Sequence, residues 1–263
     1  GGFHGRTLAT VTATAQEKYH HGFEPLVPGF KYVPYNDLQA AERAIDNRTA
    51  AVLVEPLQGE GGVIVPDSGY LPGLRKLCDE TGTLLILDEI QTGMGRTGKL
   101  WAHEHSGVTP DIMTLAKALA NGIPIGATLA TDAVASAFTP GSHGTTFGGN
   151  PFATAVGLTV LQTMIDEKVP ERAAAIGSRL MQRLERLKGR YPVIKEGRGK
   201  GLLIGLELAK PVGPAVSACR EAGLLVLTAG DNVLRLAPPL IVDDLAVDQA
   251  MEILERGRGR EGA

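Results

Sequence analysis

Two ionisable residues in apolar company carry the most chemical potential in this sequence. Asp88 closes the run Leu84-Leu85-Ile86-Leu87, and Lys117 sits inside Leu115-Ala116-Lys117-Ala118-Leu119. Four consecutive aliphatic residues, bounded by Thr81-Gly82 and Thr92-Gly93, predict a fully buried strand of a parallel sheet. Such strands present ligand groups at their carboxyl ends. A carboxylate at the rim of an apolar core calls for a cationic partner, because an unpaired buried charge is costly; taken alone, Asp88 reads equally as a turn or helix-capping aspartate. A lysine among apolar neighbours loses hydration of its ammonium form, which lowers its pKa and frees a neutral amine to form a Schiff base. The plainer alternative is a lysine whose stem lies along apolar surface with its charge in water.

The elements that must position these groups alternate in βα fashion. A helix is predicted over 37–46, capped by Asn36 or Asp37, then a buried strand over 50–55, a helix over 70–81 and the strand ending at Asp88. The β-branched stretch 8–14 suggests a strand or extended segment. Ile112 to Leu115 leads into Lys117, and residues 125–130 form the next extended segment. The strand over 50–55 ends in Glu55-Pro56-Leu57-Gln58-Gly59-Glu60-Gly61-Gly62, whose glycines allow tight turns and whose carboxylates face the same crevice as Asp88.

From Pro151 the spacing of apolar residues becomes helical, with a second helix over 171–188 and Pro170 between them. Shorter strands follow over 193–194, 202–208, 224–227 and 233–236, with helices over 213–221 and 243–256. The expected organisation is a large α/β domain over 1–165 and a smaller α+β domain over 166–263.

Composition narrows the function class. Hydrophobic residues make up 43%, charged residues 21%, and the net charge is −3, which gives no electrostatic case for nucleic acid. No apolar run approaches membrane-spanning length. Cys78 and Cys219 are far apart and form no CxxC, so a reducing cytoplasm is the expected compartment. Neither His20-His21 nor His103-Glu104-His105 has metal-ligand spacing, and no metal is expected.

Gly93-Met94-Gly95-Arg96-Thr97-Gly98 is formally GxGxxG and supports a rival reading, a nicotinamide-dependent dehydrogenase. Its context argues against that: the glycines begin beyond the strand end, and the short stretch 100–105 before Gly107 and Pro110 makes a poor phosphate-binding helix. Gly141-Ser142-His143-Gly144-Thr145-Thr146-Phe147-Gly148-Gly149 is a second loop whose hydroxyls and N–H groups suit a phosphate, or a loop that is simply flexible.

Read together, the stretches FHGRT (3–7), EPLQGEGG (55–62), LDEIQTGMGRTGK (87–99), TLAKALANGIPIGA (114–127) and RLAPPL (235–240) resemble the class III (subgroup II) aminotransferases that use pyridoxal phosphate (PLP). The resemblance runs from Phe3 to about residue 245. It implies the type I PLP-transferase fold, a doubly wound, mostly parallel sheet domain followed by a smaller α+β domain. It also implies that a further N-terminal segment precedes the sequence given, and a third reading, an inactive fragment, follows from that.

By the same resemblance Lys117 bonds the cofactor and moves a proton, Asp88 keeps the ring nitrogen protonated, Phe3 stacks on the ring and Gln91 contacts it. Thr146 serves the cofactor phosphate of the other subunit of a homodimer. Arg6 and Arg235 receive substrate carboxylates, Glu55 pairs with Arg235, and Glu60 helps shape the pocket. The implied reaction moves the ω-amino group of an acetylornithine-like donor to 2-oxoglutarate. Relatives with similar motifs act on ornithine, succinylornithine, 4-aminobutyrate or carrier-bound lysine intermediates.

Overall fold

The computed structural model describes residues 1–259. The last four residues of the domain expected over 166–263 lie outside the described residues. The chain divides into two compact units. One comprises Gly1–Leu57, Pro66–Met94 and Trp101–Glu167; the other comprises Gln58–Val65, Gly95–Leu100 and the chain from Lys168 onward. Two short segments that the sequence reading placed in the first domain, 58–65 and 95–100, thus pack with the second.

In the first unit, helix α1 (Leu8–Ala13) replaces the strand or extended segment expected over 8–14. Its threonines satisfy their hydroxyls on the helix itself. Thr12 Oγ1 donates to Leu8 O at 2.8 Å and Thr14 Oγ1 to Thr10 O at 3.0 Å, while Thr7 N–H donates to Thr10 Oγ1 at 2.9 Å. Such back-bonding offsets the β-branched penalty. Helix α2 (Leu38–Ala44) is capped by Asp37, whose side chain accepts from Ala40 N–H at 2.8 Å.

Strand β1 (Ala51–Val54), helix α3 (Tyr70–Thr81) and strand β2 (Leu84–Asp88) form the predicted βαβ unit, with β1 and β2 parallel and Val54 opposite Leu87. Tyr70, Leu71, Leu74 and Cys78 make the buried stripe of α3, and Gly82 ends it in the left-handed conformation at φ 68°. Strand β3 (Ile112–Leu115) adds parallel to β2, with Asp88 opposite Thr114, and β4 (Ala127–Ala130) closes the edge antiparallel. The sheet order is β1-β2-β3-β4. Short helix α4 (Asp132–Ala135) and the long α5 (Pro151–Asp166) complete the unit. Asn150 caps α5 by accepting from Ala153 N–H at 2.9 Å.

The second unit is a four-stranded antiparallel sheet, ordered β5 (Ile194–Lys200), β6 (Leu203–Leu208), β8 (Val233–Leu236) and β7 (Leu227–Thr228), covered by helices. Helix α6 (Val169–Arg190) carries the buried stripe Ala173, Ile176, Leu180, Leu184 and Leu187, which packs with Leu202, Ile204, Leu206 and Leu234 in one core. Strands β5 (Ile194–Lys200) and β6 (Leu203–Leu208), helix α7 (Gly213–Glu221), strands β7 (Leu227–Thr228) and β8 (Val233–Leu236), and helix α8 (Asp244–Gly259) follow in order. Gly98 is taken up by packing here: a Cβ on it would lie 2.8 Å from Ala174 Cβ, and one on Gly201 would lie 2.6 Å from Gly98 N. The only regular structure after Gly98 before β3 is a four-residue turn of 3₁₀-helix, Ala102–His105, so the dinucleotide-binding helix of the rival reading is not formed.

Among the described residues no helix is long and apolar enough to cross a membrane, and no cluster of three metal-ligating side chains occurs.

Candidate active site

In the first unit, two carboxylates and an amine stand at the carboxyl ends of three adjacent parallel strands. Glu55 follows β1, Asp88 ends β2 and Lys117 follows β3 by two residues. Parallel pairing is what aligns these ends on one edge of the sheet. Asp88 is buried, at 5% exposure. Its Oδ2 lies 2.7 Å from His4 Nδ1, its Oδ1 accepts from Ile90 N–H at 3.1 Å, and Thr114 Oγ1 lies 3.4 Å from Oδ1. Three donors on two oxygens hold the carboxylate in one orientation.

The N-terminal segment is laid across these strand ends by its own backbone. Phe3 N–H donates to Glu55 Oε1 at 3.0 Å and His4 N–H donates to Thr14 Oγ1 at 2.9 Å. Phe3 meets Tyr19 edge-on with centroids 5.5 Å apart, and the Arg6 guanidinium lies 4.1 Å above the Tyr19 ring and 5.5 Å from that of Phe3. Arg6 is itself exposed.

Lys117 differs from expectation in its surroundings. Leu115 and Ala120 are buried, but Lys117 is exposed and has left-handed backbone at φ 45°. The strand's inward alternation ends at Leu115, and the turn two residues later faces the lysine away from the core. Non-glycine residues in this conformation are uncommon and concentrate where function holds them.

Gln91 presents a buried Oε1 with no hydrogen-bond partner among the described residues. A buried acceptor left unpaired is costly unless a ligand donor completes it, so Gln91 Oε1 fits a hydrogen-bond donor on a bound cofactor. The flat ring face of Phe3, the oriented Asp88 carboxylate, the amine of Lys117 and the amide of Gln91 together match the donor set that PLP needs. Thr146 lies in a loop exposed along 141–149, beside Phe147 at 83% exposure.

The second unit holds Arg235, on β8. It is buried, at 7% exposure, and its Nη1 lies 2.6 Å from Glu60 Oε1. The resemblance gave Glu60 only a share in shaping the pocket; within this unit Glu60 stands against the guanidinium. The chain turns through Gly59–Gly62 and returns, with Gln58 and Ile64 bridged antiparallel, which carries the later carboxylate to β8. Arg96, from the glycine-rich stretch, donates to Leu202 O at 3.1 Å and Pro238 O at 2.6 Å. It thereby fixes the turn after Arg235, and burial pulls its guanidinium down to about 10.

Two contributors escaped the sequence reading. His4 lies inside the FHGRT motif, and its imidazole beside the Asp88 carboxylate is the signal that motif carries. Glu89, 1% exposed, accepts from Thr92 Oγ1, Ala102 N–H and His103 N–H at 2.8, 2.9 and 2.8 Å, with His103 Nδ1 at 3.0 Å. It ties the turn after Asp88 to the 102–105 segment, and no local pattern announces a buried carboxylate of this kind.

Comparison with known proteins places the chain in a family. The class III aminotransferase family model matches residues 1–257. An acetylornithine aminotransferase from Methanothermobacter thermautotrophicus is 48% identical over 252 residues, covering 96% of this chain and 65% of the relative. An ornithine aminotransferase from Exiguobacterium sp. is 47% identical over 256 residues, covering 97% and 64%. The chain therefore spans about two thirds of the length of these relatives. An ornithine aminotransferase structure from Toxoplasma gondii, with PLP at partial occupancy in its active site, superposes with a TM-score of 0.93 at 40% identity, covering 97% of this chain and 62% of that one. With its strand-end carboxylates and lysine arranged as described and matched over nearly its whole length, this chain belongs to the class III aminotransferases, a PLP-dependent family.

Proposed function

We propose that the full-length protein is an acetylornithine aminotransferase of arginine biosynthesis. It transfers the ω-amino group of N-acetylornithine to 2-oxoglutarate, giving N-acetylglutamate 5-semialdehyde and glutamate, and works in the cytoplasm as a homodimer in which Thr146 serves the partner's cofactor phosphate. The observation that carries the chemistry is the alignment of Asp88 and Lys117 at neighbouring parallel strand ends. The names of the relatives at 48% identity and similar values support the donor.

Bound PLP supplies a carbonyl that takes up the amino group and a ring that draws electrons from the carbon being deprotonated. Lys117 Nζ would accept the proton lost by the substrate carbon and hold it as an ammonium until it is given back to carbon. Asp88, oriented by His4, Ile90 N–H and Thr114, holds a proton on the ring nitrogen. Phe3 offers a flat apolar face and Gln91 an amide. Arg6 binds the donor's carboxylate.

An ω-amino donor brings no carboxylate beside its reacting carbon, whereas glutamate does. In this reading Glu60 neutralises Arg235 in the first half-reaction and swings away in the second, the gating role expected at first for Glu55. The ornithine aminotransferases at 47% and 40% identity favour one second reading, ornithine as donor. Steady-state kcat/KM for acetylornithine, ornithine, succinylornithine and 4-aminobutyrate with the full-length protein tests the proposal. Acetylornithine should lead, and ornithine leading by tenfold would replace it.

A further inference from the structure

Arg198, Gly205 and Arg235 form one row across three neighbouring strands: Arg198 of β5 stands opposite Gly205 of β6, and Gly205 stands opposite Arg235 of β8. Residues paired in this way project from the same face of a sheet, so two guanidinium groups flank a position that has no side chain. The 58–65 segment crosses at that gap. A Cβ on Gly205 would come within 2.8 Å of Val63 Cβ and 3.0 Å of Val233 Cγ1, and Val63 is fully buried. The gap exists because residue 205 is glycine, and Val63 fills it.

The crossing segment is held on both sides. Arg235 takes Glu60 at 2.6 Å. Arg198 takes the backbone: Nε donates to Gly62 O and Val63 O at 3.1 Å each, and Nη2 donates to Gly62 O at 2.8 Å. These carbonyls belong to a turn with φ 119° at Gly62 and 50° at Val63, and a β-branched residue in left-handed backbone persists only where its surroundings hold it. Arg198's own charge is matched by Glu196 at 2.9 Å and Glu207 at 2.6 Å, so it anchors the turn without competing for Glu60.

We propose that Arg198 is a positioning residue for substrate selection. By clamping the carbonyls of the 62–63 turn it fixes where Glu60 stands against Arg235, and so sets how readily that arginine is released to a substrate carboxylate. The inference rests on the reading in which Glu60 gates Arg235.

The test uses the full-length, cofactor-loaded enzyme. Stopped-flow half-reactions give the ratio of kcat/KM for glutamate to that for acetylornithine in wild type, Arg198→Gln, Arg198→Lys, Glu60→Ala and the Arg198→Gln/Glu60→Ala double variant. Inhibition by glutarate reports dicarboxylate binding directly. Arg198→Gln should raise the ratio roughly three- to tenfold, no more than one charge-assisted hydrogen bond is worth, and tighten glutarate in parallel. Arg198→Lys should fall between it and wild type. Once Glu60 is gone, Arg198→Gln should change the ratio no further, because the two act on one interaction. Equal slowing of both substrates, or an undiminished effect in the Glu60→Ala background, would overturn the proposal and leave the gate intact. An unchanged ratio in Glu60→Ala would remove the gate and this inference together. Should Arg198→Gln fail to fold, Arg198→Lys in the same cycle decides by the same criteria.

Discussion

His4 Nδ1 lies 2.7 Å from Asp88 Oδ2 across 84 positions of sequence, and both side chains are nearly buried. The Asp88 carboxylate is therefore aimed by a neighbour from the N-terminal segment rather than by its own strand alone. Replacing the charge and replacing the aim should have different costs. Asp88→Asn should slow proton abstraction by about 10²- to 10³-fold, the size of a lost preorganised electrostatic contact. His4→Phe leaves the Ile90 N–H and Thr114 donors and should cost only about tenfold, near the value of one charge-assisted hydrogen bond. Single-turnover rates with glutamate separate the two, and near-normal turnover in Asp88→Asn would reduce Asp88 to a structural cap.

Lys117→Ala in the full-length protein should abolish nearly all turnover and leave no cofactor attached after borohydride treatment. Mass spectrometry of the reduced protein checks this. A retained PLP mass on another lysine would sink the assignment.

Glu60→Ala should favour glutamate over acetylornithine, shifting the kcat/KM ratio by about 1–3 kcal/mol. Glu55→Ala, which removes the acceptor of Phe3 N–H, should shift that ratio less and instead weaken cofactor retention. A larger ratio change in Glu55→Ala than in Glu60→Ala would return the gate to Glu55.

Asp111 joins α3 to the sheet: its Oδ2 accepts from Arg75 Nη1 and from Leu85 N–H, both at 2.7 Å. Burial pushes this carboxyl upward, but the Leu85 N–H and the Arg75 guanidinium outweigh it and hold the group below its ordinary value. A carboxylate depressed in the folded state stabilises above its unfolded pKa of about 3.9 and loses that contribution as pH falls through the folded value. Asp111→Asn should therefore lower the urea midpoint at pH 7, and the gap to wild type should close in strong acid. A gap that stays constant with pH would show that the lost packing, not the charge, matters.

Gly177 on α6 approaches the β5–β6 turn so closely that a Cβ would lie 2.0 Å from Gly201 O. Gly177→Ala should destabilise by about 1–3 kcal/mol, as overpacking of a close contact does, despite alanine's better helix propensity. A rise in the thermal midpoint would show that the turn can move aside.

Much of the architecture was written locally. The aliphatic run before Asp88 determined a parallel core strand, and the helix over 70–81 was set by its apolar stripe and Gly82, both features of nearest neighbours along the chain. The Asp88 and Lys117 motifs were legible because each sits at a strand end whose position follows from the βα alternation. Residues 8–14 misled because β-branching favours strands on average, whereas here threonine hydroxyls bonded back onto a helix. What the sequence could not rank was long-range pairing. No local pattern directs Glu60 to Arg235, a contact between residues 175 positions apart that depends on how the chain crosses Gly205. The same holds for His4 on Asp88. The residue types and strand order fixed what chemistry was available, and only tertiary packing, which decides which charges share a buried space, assigned each group its partner.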